Sequence, residues 1–69
     1  MQMKPINSSN ISAIGHNPYT NTMRVQFANG NTYAYHDVPR DVHEALVNAD
    51  SVGSHFSQNI RNAYKYTKV

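Results

Sequence analysis

The sequence predicts an α+β domain, a three-stranded antiparallel β-meander followed by two α-helices packed on one face. Two observations carry that expectation. Residues 23–38, MRVQFANGNTYAYHDV, alternate apolar and polar side chains around Asn29-Gly30, the signature of a β-hairpin. After Val38-Pro39 the apolar residues recur at i, i+3, i+4 and i+7, the spacing of a helix with one buried face.

The hairpin register decides what its tyrosines do. A two-residue loop at Asn29-Gly30 pairs Phe27 with Thr32 and Val25 with Ala34. Tyr33 and Tyr35 then share a face with Arg24 and Gln26, as an aromatic and basic platform. A three-residue loop with Gly30 as the left-handed bulge residue pairs Phe27 with Asn31, Val25 with Tyr33 and Met23 with Tyr35. A slip of one residue turns every side chain to the other face, so the two are exclusive. The bulged register is favoured because it collects the large apolar residues on one side. Tyr33 and Tyr35 are then core rings whose hydroxyls are able to reach the rim.

The remaining elements follow in order. Residues 1–7 read as a flexible arm, with Pro5 discouraging regular structure, and 8–66 as a single domain with 67–69 as a tail. Residues 8–16, with Ile11, Ala13 and Ile14, read as the first strand, and Gly15 marks a bulge or a close backbone approach. The Asn17-Pro18 pair opens a turn. Pro39 suits the first position of a helix carrying Val42, Ala45, Leu46 and Ala49, with Asp41 and Glu44 near its N-terminus. Residues 48–50 break it. A second helix, capped by Asp50 or Ser51, carries Val52, Phe56, Ile60 and Ala63 on its apolar stripe. Residues 64–69 either continue that helix or fray.

Sixty-nine residues make one small domain, and cores of this size often need a staple. The absence of cysteine excludes disulfides and thiolate zinc sites and fits a cytoplasmic location. Homo-oligomerisation is the staple that remains. No apolar run approaches a membrane span and no leader pattern opens the chain. The formal net charge of +2 permits an anionic partner without requiring one.

The ordered set Ser9, Ile11, Ile14-Gly15, Val25, Phe27, Gly30, Tyr33-x-Tyr35, Val38-Pro39, Leu46, Ala49, Ser51-x-Gly53, Phe56, Ile60 and Tyr64 resembles the KTSC domain family. That family is named for a C-terminal extension of some lysyl-tRNA synthetases and includes short stand-alone bacterial and phage proteins. The resemblance implies the fold just described and a role in RNA binding. The sequence departs from the pattern at His16, His43 and His55, where the family often shows tyrosine, and at Val52, where it often shows a basic residue.

Two constellations point to a phosphate-bearing ligand. Ser51, Gly53, Ser54 and His55 open the second helix, whose N-terminal amides and positive dipole end suit an anion; the alternative is a capped helix with Gly53 packed on the sheet. Arg61, Lys65 and Lys68 fall on one face if that helix continues, interleaved with Tyr64 and Tyr66, a mix of cations and rings that single-stranded nucleic acid uses. Arg24 and Arg40 extend the patch if they face the same way; otherwise the run is a solvated face. The four histidines lack metal-site spacing, and no nucleophile–base pattern is present, so neither a cofactor nor an enzyme is expected. The expected function is a non-enzymatic module for RNA or a nucleotide. The alternative is an oligomeric phage or bacterial protein that inhibits a host complex or sequesters a nucleotide between subunits, with Tyr19, Tyr33, Tyr35 and His36 at the interface.

Overall fold

Period-two alternation becomes sheet in the hairpin, and three further strands join it. A computed structural model describes residues 2–69 of the chain. In chain order the elements are β1 (Lys4–Pro5), β2 (Ile11–Asn17), β3 (Thr22–Phe27), β4 (Thr32–Tyr35), α1 (Arg40–Val47), α2 (Val52–Asn59) and β5 (Tyr66–Lys68). The sheet runs β1-β2-β3-β4-β5, with every neighbouring pair antiparallel. The class is the expected α+β, with five strands rather than three.

The hairpin takes the bulged register. Met23 faces Tyr35 and Val25 faces Tyr33, and the Phe27 N–H donates to the Asn31 carbonyl at 2.8 Å. Gly30 supplies the required positive φ, +92°, and its N–H closes on the Phe27 carbonyl at 3.0 Å. A second irregularity lies in β2, at Ser12 rather than at Gly15. Ile11 faces Phe27 while Ala13 faces Gln26, so one extra residue sits between them. That residue corrects the phase, and Ile11 and Ile14, three apart, are both buried.

The core is one cluster of Ile11, Ile14, Met23, Val25, Tyr35, Val38, Leu46, Phe56 and Ile60. α1 contributes Leu46. α2 contributes Phe56, and Ile60 follows as its C-cap residue. The start of α2 is capped by Ser51, whose Oγ accepts the Ser54 N–H at 3.3 Å.

The two ends of the chain differ most from expectation. Lys4 and Pro5, placed in the arm, pair with Ile14 and Ala13 as an edge strand, a position that tolerates proline. Residues 64–69 neither continue α2 nor fray. Tyr66 pairs with Tyr35 and Lys68 with Tyr33, the His36 N–H donates to the Lys65 carbonyl at 2.8 Å, and the Val69 N–H donates to the Thr32 carbonyl at 2.9 Å. Asn59 and Asn62 are weak helix formers at the end of α2, whereas Tyr64, Tyr66, Thr67 and Val69 favour a strand. The open edge of β4 supplies the partner.

Candidate binding cleft

The bulged register aims Phe27, Tyr33 and Tyr35 at the face the helices cover, and α2 covers them only in part. Between α2 and the β3–β4–β5 side of the sheet lies a cleft of about 650 Å³. Its apolar surface is a closed circuit of five rings. Phe27 meets Tyr33 at 5.6 Å, Tyr33 meets Tyr66 at 5.5 Å, Tyr66 meets Tyr35 at 5.4 Å, Tyr35 meets Phe56 at 5.4 Å, and Phe56 returns to Phe27 at 5.5 Å. Four of the five contacts are edge-to-face, the geometry the ring quadrupole favours. β5 delivers Tyr66, so the circuit closes only because the C-terminal segment returns to the sheet.

The polar rim is one-sided in charge. Arg61, in the turn after α2, lines the cleft with Asn10, Asn29, Ser57 and Asn62, and no carboxylate does. All four carboxylates of the chain, Asp37, Asp41, Glu44 and Asp50, lie within residues 37–50. Arg61 forms no ion pair with a described residue; the ion pair present is Arg40–Glu44 at 3.3 Å. Tyr35 is only 4 % exposed. Its hydroxyl has no hydrogen-bond partner among the described residues, yet it is not sealed in, since His43 Nδ1 is the enclosed side-chain atom left without one. Tyr35 is one of the residues that line the cleft. Burial pushes the Tyr35 phenol above its usual pKa, helped by Tyr66 and Tyr33 and opposed by the Arg61 guanidinium.

Of the residues singled out in the sequence, Tyr33, Tyr35, Gly53, Arg61 and Tyr66 come together here. The others do not. At the exposed cap Ser51 Oγ accepts the Ser54 N–H, and Ser51, Ser54 and His55 all lie outside the cleft. A Cβ on Gly53 would meet Ser8 Oγ at 3.3 Å and Asn10 Nδ2 at 3.8 Å, so its missing side chain makes room for that segment. The helical face of Arg61, Lys65 and Lys68 does not form. Arg61 sits in a turn, and Lys65 precedes Tyr66 along the strand direction, which turns it to the opposite side of the sheet. Tyr64 packs half-buried against the core. His36 Nε2 is bonded to Thr67 Oγ1 at 2.9 Å, away from the rings. Tyr19 stands 97 % exposed in the β2–β3 turn. Asn10, Asn29 and Asn62 were not foreseen, because a rim residue leaves no periodic trace in sequence.

A second cleft, of about 670 Å³, lies against α1 and the β1–β2 side and includes His16, His43, Lys4, Arg40 and Glu44. His16 and His43 stack at 4.9 Å, and His16 Nε2 meets the Val38 carbonyl at 2.7 Å, which assigns that nitrogen the proton. Burial lowers the His43 pKa, with His16 and Lys4 acting the same way and Glu44 against them. Among the described residues no three metal-ligating side chains cluster. No described helix is long and apolar enough to cross a membrane.

An antiparallel sheet covered on one face by two helices, with an aromatic cleft at one side, defines the class of small α+β domain to which known proteins can be compared. The KTSC domain pattern matches residues 7–64, and the chain belongs to the KTSC domain family. It is 34 % identical over 70 residues to an uncharacterized protein of Stutzerimonas stutzeri, covering 100 % of this chain and 99 % of that one. It is 37 % identical over 67 residues to the lysine–tRNA ligase of Nostoc sp., covering 97 % of this chain and spanning 12 % of the ligase. The crystal structure of the KTSC domain protein YPO2434 from Yersinia pestis superposes with a TM-score of 0.93 at 33 % identity, covering 99 % of this chain and 96 % of that one.

Proposed function

We propose that the chain is a non-enzymatic binding module that holds RNA, or another nucleotide-bearing ligand, in the aromatic cleft. The observation that carries this reading is the closed circuit of five rings beside Arg61, with no carboxylate lining the same space. A base offers a π-face to rings and a phosphate offers charge to a guanidinium, so the two halves of a nucleotide match the two halves of the cleft. The cleft volume of about 650 Å³ falls within the range of small-ligand sites. Likeness to part of a lysine–tRNA ligase, a protein that handles RNA by name, agrees with this choice of ligand. Lys65 and Lys68, which do not line the cleft, add long-range attraction from a segment without acidic side chains.

Titration with single-stranded RNA oligomers at several salt concentrations tests the reading. Arg61→Glu is expected to weaken binding by at least about tenfold, the size of a charge-assisted hydrogen bond. It should also lower the logarithmic salt slope by about 0.7. Lys65→Glu, on the other sheet face, should cost less. Equal affinity for wild type and Arg61→Glu would remove the cleft from the binding site.

A further inference from the structure

We propose that the cleft seats one phosphorylated nucleoside unit, its phosphate between Arg61 and the Tyr35 hydroxyl and its base against Tyr66, an assignment that rests on reading the cleft as a nucleotide site. The first support is the state of Tyr35. A cleft-lining residue only 4 % exposed holds a hydroxyl that is not sealed in and has no partner among the described residues. A hydroxyl that reaches solvent and has no protein partner is free to donate to an acceptor that enters the cleft. Arg61 is the second donor. It lines the same space, is close enough to bias the ionisation of Tyr35, and has no carboxylate holding it.

A neutral phenol and a guanidinium in a cleft that no carboxylate lines together select an oxyanion. Burial keeps the phenol protonated and therefore a donor at neutral pH. Arg61 is also the one lysine or arginine that lines the cleft, which suits one phosphate group and disfavours a triphosphate. At the β5 end, Tyr66 is 57 % exposed although two rings hold it in place, so it has surface to offer a base. Asn10, Asn29 and Asn62 stand at the rim as donors and acceptors, the equipment for a base edge.

The test titrates the full chain with the four ribonucleoside 5′-monophosphates, the matching nucleosides and single-stranded oligonucleotides, following binding by NMR. Monophosphates are expected to bind about tenfold or more tightly than nucleosides. That advantage should shrink in Tyr35→Phe and in Arg61→Gln, whereas Tyr66→Ala should weaken nucleotide and nucleoside alike. Tyr35→Phe removes only an unpartnered hydroxyl, and an unchanged thermal midpoint confirms its fold. Oligonucleotides that bind more tightly than monophosphates, with the same variant losses, identify an RNA strand as the source of the unit. Monophosphates that bind more tightly identify a free nucleotide, and both results support the assignment. A phosphate advantage that survives in both Tyr35→Phe and Arg61→Gln overturns the assignment while leaving the cleft a nucleotide site. Failure of every nucleotide and oligonucleotide to bind overturns both.

Discussion

The fold opposes the charged forms of Tyr35 and His43, and burial is the leading cause in each. In Tyr35 this preserves a donor. In His43 it creates a pH dependence whose sign is fixed. An unfolded imidazole titrates near about 6.5, and the folded one lower. Above that value both states carry neutral His43 and stability is unaffected by it. Below it the unfolded chain binds a proton that the folded chain resists, so stability falls with pH. His16, stacked at 4.9 Å, and Lys4 oppose the added charge, while Glu44 offsets them and Arg40 engages Glu44. Thermal midpoints should therefore drop between about pH 7.5 and about pH 5.5. His43→Phe should flatten the profile, because it keeps a ring against His16 and removes the titrating group. A wild-type profile flat over that range, or one unchanged in His43→Phe, would contradict this account of His43.

At the scale of elements, the β3–β4 hairpin was legible because three signals agreed: alternation, Asn29-Gly30, and the benefit of one apolar face. Its weak point is Gly30. No atom lies within 4 Å of where a Cβ would stand, so substitution costs backbone strain alone. Gly30→Ala should destabilise the fold by about 1–2 kcal/mol in a denaturant titration, the cost of holding an L-residue at positive φ. A neutral result would mean that the loop can adopt another turn. The C-terminal segment was misread for an equally specific reason. Arg61, Lys65 and Lys68 share helical spacing, but Tyr64 and Tyr66 alternate with Lys65 and Thr67, and the second period is the one the sheet uses. Only the open edge of β4 decides between them, and that edge is a tertiary fact. The bulge at Ser12 escaped notice likewise, since nothing in its residue type sets it apart. Of the cleft, the central rings and Arg61 were visible in sequence. Their meeting in one place was not, because it depends on the return of β5.

At the scale of the molecule, charge and architecture divide the same way. Carboxylates occupy the loops and helix between β4 and α2, whereas residues 61–69 hold three cations and no acid. The turn after α2 therefore brings the positive charge of Arg61 to the cleft, and the last strand brings Tyr66. It also protects β4, whose edge would otherwise be open. A chain ending at Tyr64 should lose roughly 1 kcal/mol for each backbone hydrogen bond that β5 makes, and should unfold at lower denaturant concentration. Nucleotide binding should fall further than stability explains, measured under conditions where the shortened chain remains folded. Binding that persists at full strength would show that Tyr66 is dispensable.

The sheet order has one more consequence, for how the domain can be joined to something else. β1 and β5 are the two outer strands, separated by four strand spacings, roughly 19 Å at about 4.8 Å each. Gln2 and Lys4 border the histidine cleft, and no described residue before Asn10 lines the aromatic one. A polypeptide, surface or label attached ahead of β1 therefore hangs the domain by its far edge and leaves the aromatic cleft facing outward. The same attachment after Val69 runs on directly from the strand that carries Tyr66, on the cleft's own side of the sheet.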